Sequence, residues 1–214
     1  MQLFSYFRSS AAYRVRIALA LKGLSYDYMP VHLLKDGGQQ LLPAYRELNS
    51  SALVPTLVDG DNVLGQSLAI IEYLDEVYPD TPLLPATPAE RARVRAIAQS
   101  IACDIHPLNN LRVLKYLKHQ VKAEEEVKNA WYRHWIDVGL TAVETMLSQS
   151  PQTGRFCHGD KPTQADLCLV PQVFNARRFG CDLSAMPTIL RIEEACNALP
   201  AFQQALPENQ PDAE

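Results

Sequence analysis

A mixed α/β domain followed by an all-helical domain is the architecture predicted by this chain of 214 residues. Three observations predict it. Strand-like and helix-like segments alternate up to about residue 78, spaced prolines then interrupt the chain, and beyond them apolar residues recur only at helical spacing.

The elements follow in order. Met1 to Phe7 is short, aromatic and apolar, as a buried strand requires. Ala12 to Lys22, rich in alanine and leucine and closed by Gly23, is a helix with a glycine stop. Tyr26 to His32 reads as a second strand, and Asp36-Gly37-Gly38 as a flexible turn. A helical turn follows. Thr56–Val58 and Val63–Leu64 flank Asp59-Gly60-Asp61-Asn62 as a hairpin, and Gln66 to Tyr78 is a helix. The order is β-α-β-(helical turn)-β-β-α, with a right-handed parallel crossover first and an antiparallel hairpin at the edge. Pro79, Pro82, Pro85 and Pro88 suit neither a helix interior nor a central strand. The boundaries are therefore a first domain over 1–80, a linker over 81–88 and a helical domain over 89–214. Within the last, Val94 to Leu108 is a long helix that Pro107 kinks, placing His106 and Asn110 on one face. Trp131, Trp135, Val138, Ala142 and Met146 mark another helical stripe. Ala165–Phe179 and Thr188–Leu199 are further helices, and the polar tail after Pro207 is expected to fray.

Composition narrows the function. Hydrophobic residues make up 47% and charged residues 21%, as in an ordinary globular protein. A net charge of −4 without a basic tract argues against nucleic acid and anionic membrane as partners. No apolar run approaches the roughly 20 residues of a membrane span. The N-terminus turns polar too early for a secretory signal, so a cytoplasmic location is expected. The five cysteines form no C-x-x-C pair and the five histidines no ligand spacing, so neither a disulfide framework nor a metal site is expected.

Three loops carry candidate chemistry. Arg8-Ser9-Ser10 lies between the first strand and first helix, where a hydroxyl either caps the helix or donates to a bound anion. Val54-Pro55 precedes a strand, and a cis bond there would present the backbone of Val54 to a ligand. Gln66-Ser67 opens the third helix, where free N–H groups suit a carboxylate. All three fall at one end of the same sheet. Thr163-Gln164-Ala165-Asp166 is a capping box, a folding element rather than a catalytic one.

Together with the overall sequence, three stretches closely resemble the zeta class of glutathione transferases. These are Phe7-Arg8-Ser9-Ser10-Ala11-Ala12-Tyr13-Arg14-Val15-Arg16-Ile17-Ala18-Leu19, Val54-Pro55-Thr56-Leu57 and Gln66-Ser67-Leu68-Ala69-Ile70-Ile71-Glu72-Tyr73-Leu74. The helical half adds Ile105-His106-Pro107-Leu108-Asn109-Asn110 and Ala165 to Val173. The resemblance implies a thioredoxin-like α/β N-terminal domain, an all-α C-terminal domain, glutathione as cofactor and a homodimer. It implies that Ser9 or Ser10 holds the glutathione thiolate, Val54 before a cis Pro55 pairs with the cysteinyl part, and Gln66 and Ser67 grip the γ-glutamyl end. His32 and Gln39 or Gln40 are left for the glycyl end. Ala11 stands where the family has cysteine, so the chain cannot depend on a thiol of its own there.

The activity implied is glutathione-dependent cis–trans isomerisation of a small dicarboxylate. Maleylacetoacetate comes first and maleylpyruvate is the alternative; transfer to, or dehalogenation of, small α-halo acids is a further one. Two carboxylates call for guanidinium partners. Arg8 stands beside the serines. By resemblance Arg178 faces the active site, and His106, Asn110 and Arg112 are candidates on the helical domain.

Overall fold

The computed structural model describes residues 1–214, which divide into two compact units, residues 1–83 with 197–214, and residues 84–196. The first unit runs β1 (Gln2–Ser5), α1 (Ser10–Leu21), β2 (Asp27–Pro30), α2 (Pro43–Leu48), β3 (Thr56–Asp59), β4 (Asn62–Gly65) and α3 (Ser67–Val77). Its four strands lie in the order β2-β1-β3-β4, with β1–β2 parallel and the other pairs antiparallel. The crossover and the hairpin expected from the sequence are both present. Gly60, at φ +58, supplies the left-handed residue that the hairpin turn requires.

Helix α1 starts where Ser9 accepts a hydrogen bond from the Ala12 N–H at 3.2 Å and stops before Gly23, at φ +66. Every residue from Ala12 to Leu19 is buried, including Arg14 and Arg16. A helix this rich in alanine and aliphatic residues loses little by burial on all sides, but two buried guanidiniums need acceptors. Arg16 donates to the Ser5 hydroxyl at 3.3 Å and to the carbonyls of Tyr6 at 3.4 Å, Phe7 at 3.0 Å and Ala205 at 3.1 Å. Burial lowers its pKa from the ordinary arginine value.

The second unit holds α4 (Pro88–Gln99), α5 (Leu111–His119), α6 (Glu125–Ser148), α7 (Gln164–Arg178) and α8 (Pro187–Asn197). Thr87 and Glu90 form a capping box that starts α4 with Pro88 in its first turn. The long helix expected through Leu108 is not continuous. A π-helical turn at Ser100–Ile105 and a 3-10 turn at His106–Asn109 follow α4, and Asn110 is extended before α5. Pro107 has no N–H to continue the ladder, so His106 and Asn110 do not share one helical face. The buried face of α6 is Tyr132, Ile136, Leu140, Val143 and Leu147. It lies one residue round from the expected stripe, and Val138 is exposed. Each tryptophan lies next to a buried position, which the periodicity alone did not separate.

The last stretch differs most from expectation. Residues 197–214, placed by the sequence in the helical domain and expected to fray, belong to the first unit. Here α9 (Pro200–Gln204) buries Phe202, Ala205 receives Arg16, and Gln210 donates to the carbonyls of Gln204 at 2.9 Å and Leu206 at 2.8 Å. A polar composition hid these bonds. No helix is long and apolar enough to cross a membrane, and all five cysteines are free.

Candidate functional site

Register brings the three loops of the first unit together. Phe4 pairs with Thr56, and Thr56 pairs with Gly65, so the exit of β1, the entry of β3 and the exit of β4 lie side by side. At about 4.8 Å per strand the exits of β1 and β4 are about 10 Å apart. On the other side Ser5 pairs with Pro30 in parallel, so the segment from His32 leaves the same end. Ser9, Ser10, His32, Val54, Gln66 and Ser67 therefore rim one end of one sheet.

Each is held by a nameable contact. The Ser9 N–H donates to the Tyr6 carbonyl at 2.9 Å, closing the turn ahead of α1, while its hydroxyl caps the helix. Ser10 is the first residue of α1 and is buried. Arg8 is exposed with its guanidinium 4.8 Å from the centre of the Phe7 ring. The Val54–Pro55 bond is cis, as the family resemblance implies. The ladder begins only at Thr56, which leaves the backbone of Val54 outside it. Tyr45 and Asn49 of the α2 region fix that corner, donating to the Leu53 carbonyl at 2.7 and 3.1 Å. Both also hydrogen-bond the Thr56 hydroxyl at 2.8 Å.

Gln66 has φ +66, an uncommon and strained conformation for a side-chain-bearing residue and one that concentrates at ligand sites. Ser67 is buried at the start of α3, and its hydroxyl accepts from Arg14 at 3.2 Å. The sequence signal for Arg14 is a charged residue inside an otherwise apolar helix.

The glycyl-end candidates separate. Gln39 accepts the His32 N–H at 2.9 Å and donates to Asp36 at 3.2 Å, so its amide is engaged inside the loop. Gln40 is buried with its Oε1 unpartnered. Gly38, at φ +117, leaves room for the Gln40 amide; a Cβ there would lie 2.8 Å from Gln40 Nε2. His32 accepts at Nδ1 from the N–H groups of Leu34 at 3.1 Å and Lys35 at 2.8 Å, so the proton of the neutral ring is on Nε2. That nitrogen faces the Glu214 carboxylate at 3.5 Å.

The remaining candidates belong to the second unit. His106 opens the 3-10 turn. Asn110 caps α5, accepting from the Arg112 N–H at 3.1 Å. Arg112 is exposed on α5. Arg178 ends α7, exposed, 4.9 Å from the Phe179 ring, which itself stacks on Tyr132.

The rim of the first unit thus carries hydroxyls at two helix starts and one strand's backbone left outside its ladder. Residues 3–82 match the family described as glutathione S-transferase, N-terminal domain. The chain is 53% identical over 211 residues to a probable maleylacetoacetate isomerase of Vibrio cholerae, covering 99% of this chain and 97% of that one. Among solved structures it is similar to a holo maleyl pyruvate isomerase, described as a bacterial zeta-class glutathione S-transferase. That match has a TM-score of 0.97, 48% identity and full coverage of both chains. It is also similar to a maleylacetoacetate isomerase of Methylobacterium extorquens with bound malonate and glutathione, at a TM-score of 0.96 and 43% identity over the whole of both chains. The chain belongs to the zeta class of glutathione transferases.

Proposed function

We propose that this chain binds glutathione on the first unit and isomerises a maleyl diacid, maleylacetoacetate to fumarylacetoacetate. The observation that carries the reading is the register of the sheet, which sets the two serines, Val54 and the Gln66-Ser67 pair round one rim. The residues present fit the tripeptide. Ser67, a buried hydroxyl backed by a guanidinium at a helix start, suits the γ-glutamyl carboxylate. The backbone of Val54 is available for strand-like pairing. Gln40, with a buried acceptor to offer, suits the glycyl end better than Gln39, and His32 shapes that loop. When bound, glutathione supplies a thiolate that adds to the alkene, allows rotation about the former double bond, and leaves again.

The chain's own residues prepare that chemistry. Ser9 and Ser10 set hydroxyl and N–H dipoles at the start of α1, which favour a negatively charged sulfur. Arg8, exposed beside them, offers the planar donor pair that a carboxylate takes. Arg178, by resemblance, and His106, Asn110 and Arg112, by their place in the helical domain, are the further candidates for holding the diacid. Malonate, a small dicarboxylate, is bound in the solved relative from Methylobacterium extorquens. A homodimer, on the same resemblance, and a cytoplasmic location, on the character of the N-terminal residues, complete the reading.

Turnover with maleylacetoacetate, glutathione held constant, tests it. Product should form with no net loss of glutathione. Stoichiometric loss of the thiol would replace the isomerase by a transferase, and equal or better turnover of maleylpyruvate would move the physiological substrate to that diacid.

A further inference from the structure

We propose that the segment 205–212 is a strap that sets the thiol-binding turn, with Asp212 as its positioning residue. The proposal rests on the glutathione reading above. The turn in question is Tyr6-Phe7-Arg8-Ser9, and the N–H of Phe7 within it is gripped from a segment 205 residues away. The Phe7 N–H donates to Asp212 Oδ2 at 3.1 Å. The Phe7 carbonyl accepts from Arg16 at 3.0 Å, and the same guanidinium holds the Ala205 carbonyl at 3.1 Å. Asp212 is itself fixed to β2 by the Tyr28 hydroxyl at 2.6 Å, and Gln210 keeps the segment folded two residues before it. The N–H of Phe7 is thus tied to the strap directly and its carbonyl through Arg16, and Ser9 follows two residues later.

Asp212 acts here through geometry more than through charge. A carboxylate near the turn disfavours a second anion by Coulomb repulsion, so removing it alone would make the sulfur easier to ionise. Loss of positioning does the opposite, because the donors at the start of α1 no longer converge on the sulfur. The sign of the shift therefore separates the two roles.

The test uses the full chain as wild type, Asp212→Ala, Asp212→Asn and Tyr28→Phe. Three quantities are read: glutathione affinity by calorimetry, ionisation of the bound thiol by its ultraviolet absorbance, and hydrogen exchange of the Phe7 amide without glutathione. Asp212→Ala should weaken glutathione binding about tenfold, as loss of a charge-assisted hydrogen bond implies. It should also shift thiol ionisation to higher pH and speed Phe7 exchange. Asp212→Asn, which keeps one acceptor, should recover part of each, and Tyr28→Phe should move all three in the same direction by less. If Asp212→Ala leaves affinity and thiol ionisation at wild-type values, or shifts ionisation to lower pH, the strap has no positioning role, whatever happens to thermal stability. Should Asp212→Ala fail to fold, Tyr28→Phe decides by the same criteria. A wild type that ignores glutathione overturns the functional reading and this role together, whereas normal wild-type binding with an unaffected variant overturns the strap alone.

Discussion

The guanidinium of Arg14 donates to the hydroxyl of Ser67 at 3.2 Å, joining the second turn of α1 to the first of α3 through two buried side chains. The bond couples the helix start assigned to the thiol to the helix start assigned to the γ-glutamyl carboxylate. Ser67→Ala removes an acceptor from a buried cation, a change worth about 1.5–3 kcal/mol. Stability should fall by that order and glutathione affinity should fall with it. Ser67→Thr, which keeps the hydroxyl, should restore most of both. Equal behaviour of the alanine and threonine variants would remove the coupling.

Thiol reactivity should follow burial. Of the five cysteines, Cys103 is exposed, Cys181 is half-buried, and Cys157, Cys168 and Cys196 are buried. Burial pushes the Cys157 and Cys196 thiols far above the ordinary cysteine value and raises Cys181 as well. An aromatic disulfide reagent at neutral pH should therefore label Cys103 rapidly, Cys181 slowly and the other three only after unfolding. Cys103→Ser should abolish the fast phase. A fast phase that survives that substitution would contradict the burial pattern.

Most of the first unit was legible because its signals are local. Gly23, the hairpin between Thr56 and Gly65, and the helix opened by Ser67 are each announced within a few residues. That Ser9, Val54 and Gln66 share one sheet end was legible for the same reason, from the order of the loops. What was not legible depends on distant pairing. Neither Arg16 with Ala205 nor Phe7 with Asp212 leaves a trace in any sequence window, so the tail read as loose. The break before α5 was hidden differently. Val94 to Leu108 keeps helical spacing through the π turn, and Pro107 looked like a kink rather than an end. That the Gln39 amide is engaged within its loop while Gln40 Oε1 is not is visible only in the loop's internal hydrogen bonds.

Gly139 of α6 packs directly against Ile105 of that broken segment. A Cβ on Gly139 would lie 2.2 Å from Ile105 Cγ1 and 2.4 Å from its Cδ1. Trp131 of the same helix donates to the Leu108 carbonyl at 2.8 Å, so α6 holds the segment on both sides of His106. Gly139→Ala gains about 1 kcal/mol of helix propensity, but overpacking costs about 1–3 kcal/mol. Net destabilisation is expected, measured by urea unfolding. In an Ile105→Ala background the obstructing atoms are gone, and Gly139→Ala should become neutral or stabilising. Additive effects in the double variant would show that the two residues do not press on each other.

Asp166 gives a pH dependence whose sign can be worked out. Its carboxyl is buried beneath the start of α7 and accepts from the Thr163 N–H at 2.7 Å, the Thr163 hydroxyl at 2.9 Å and the Cys157 N–H at 2.8 Å. Burial raises its pKa above the ordinary aspartate value, and those donors oppose the rise without cancelling it. Between the unfolded value, about 3.9, and the raised folded value, the folded chain keeps a proton that the unfolded chain has released. The contribution of this group is therefore full below the unfolded value and is lost as pH rises through the folded one. Asp166→Asn cannot titrate and supplies only one oxygen, so it should be less stable at every pH by about 1–3 kcal/mol. The gap between wild type and variant should be widest in acid and should narrow toward neutrality, because the other carboxylates cancel in the difference. Denaturant midpoints of both chains at matched pH values measure it. A gap that widens as pH rises would mean that the three donors outweigh burial and hold the carboxyl below its ordinary value.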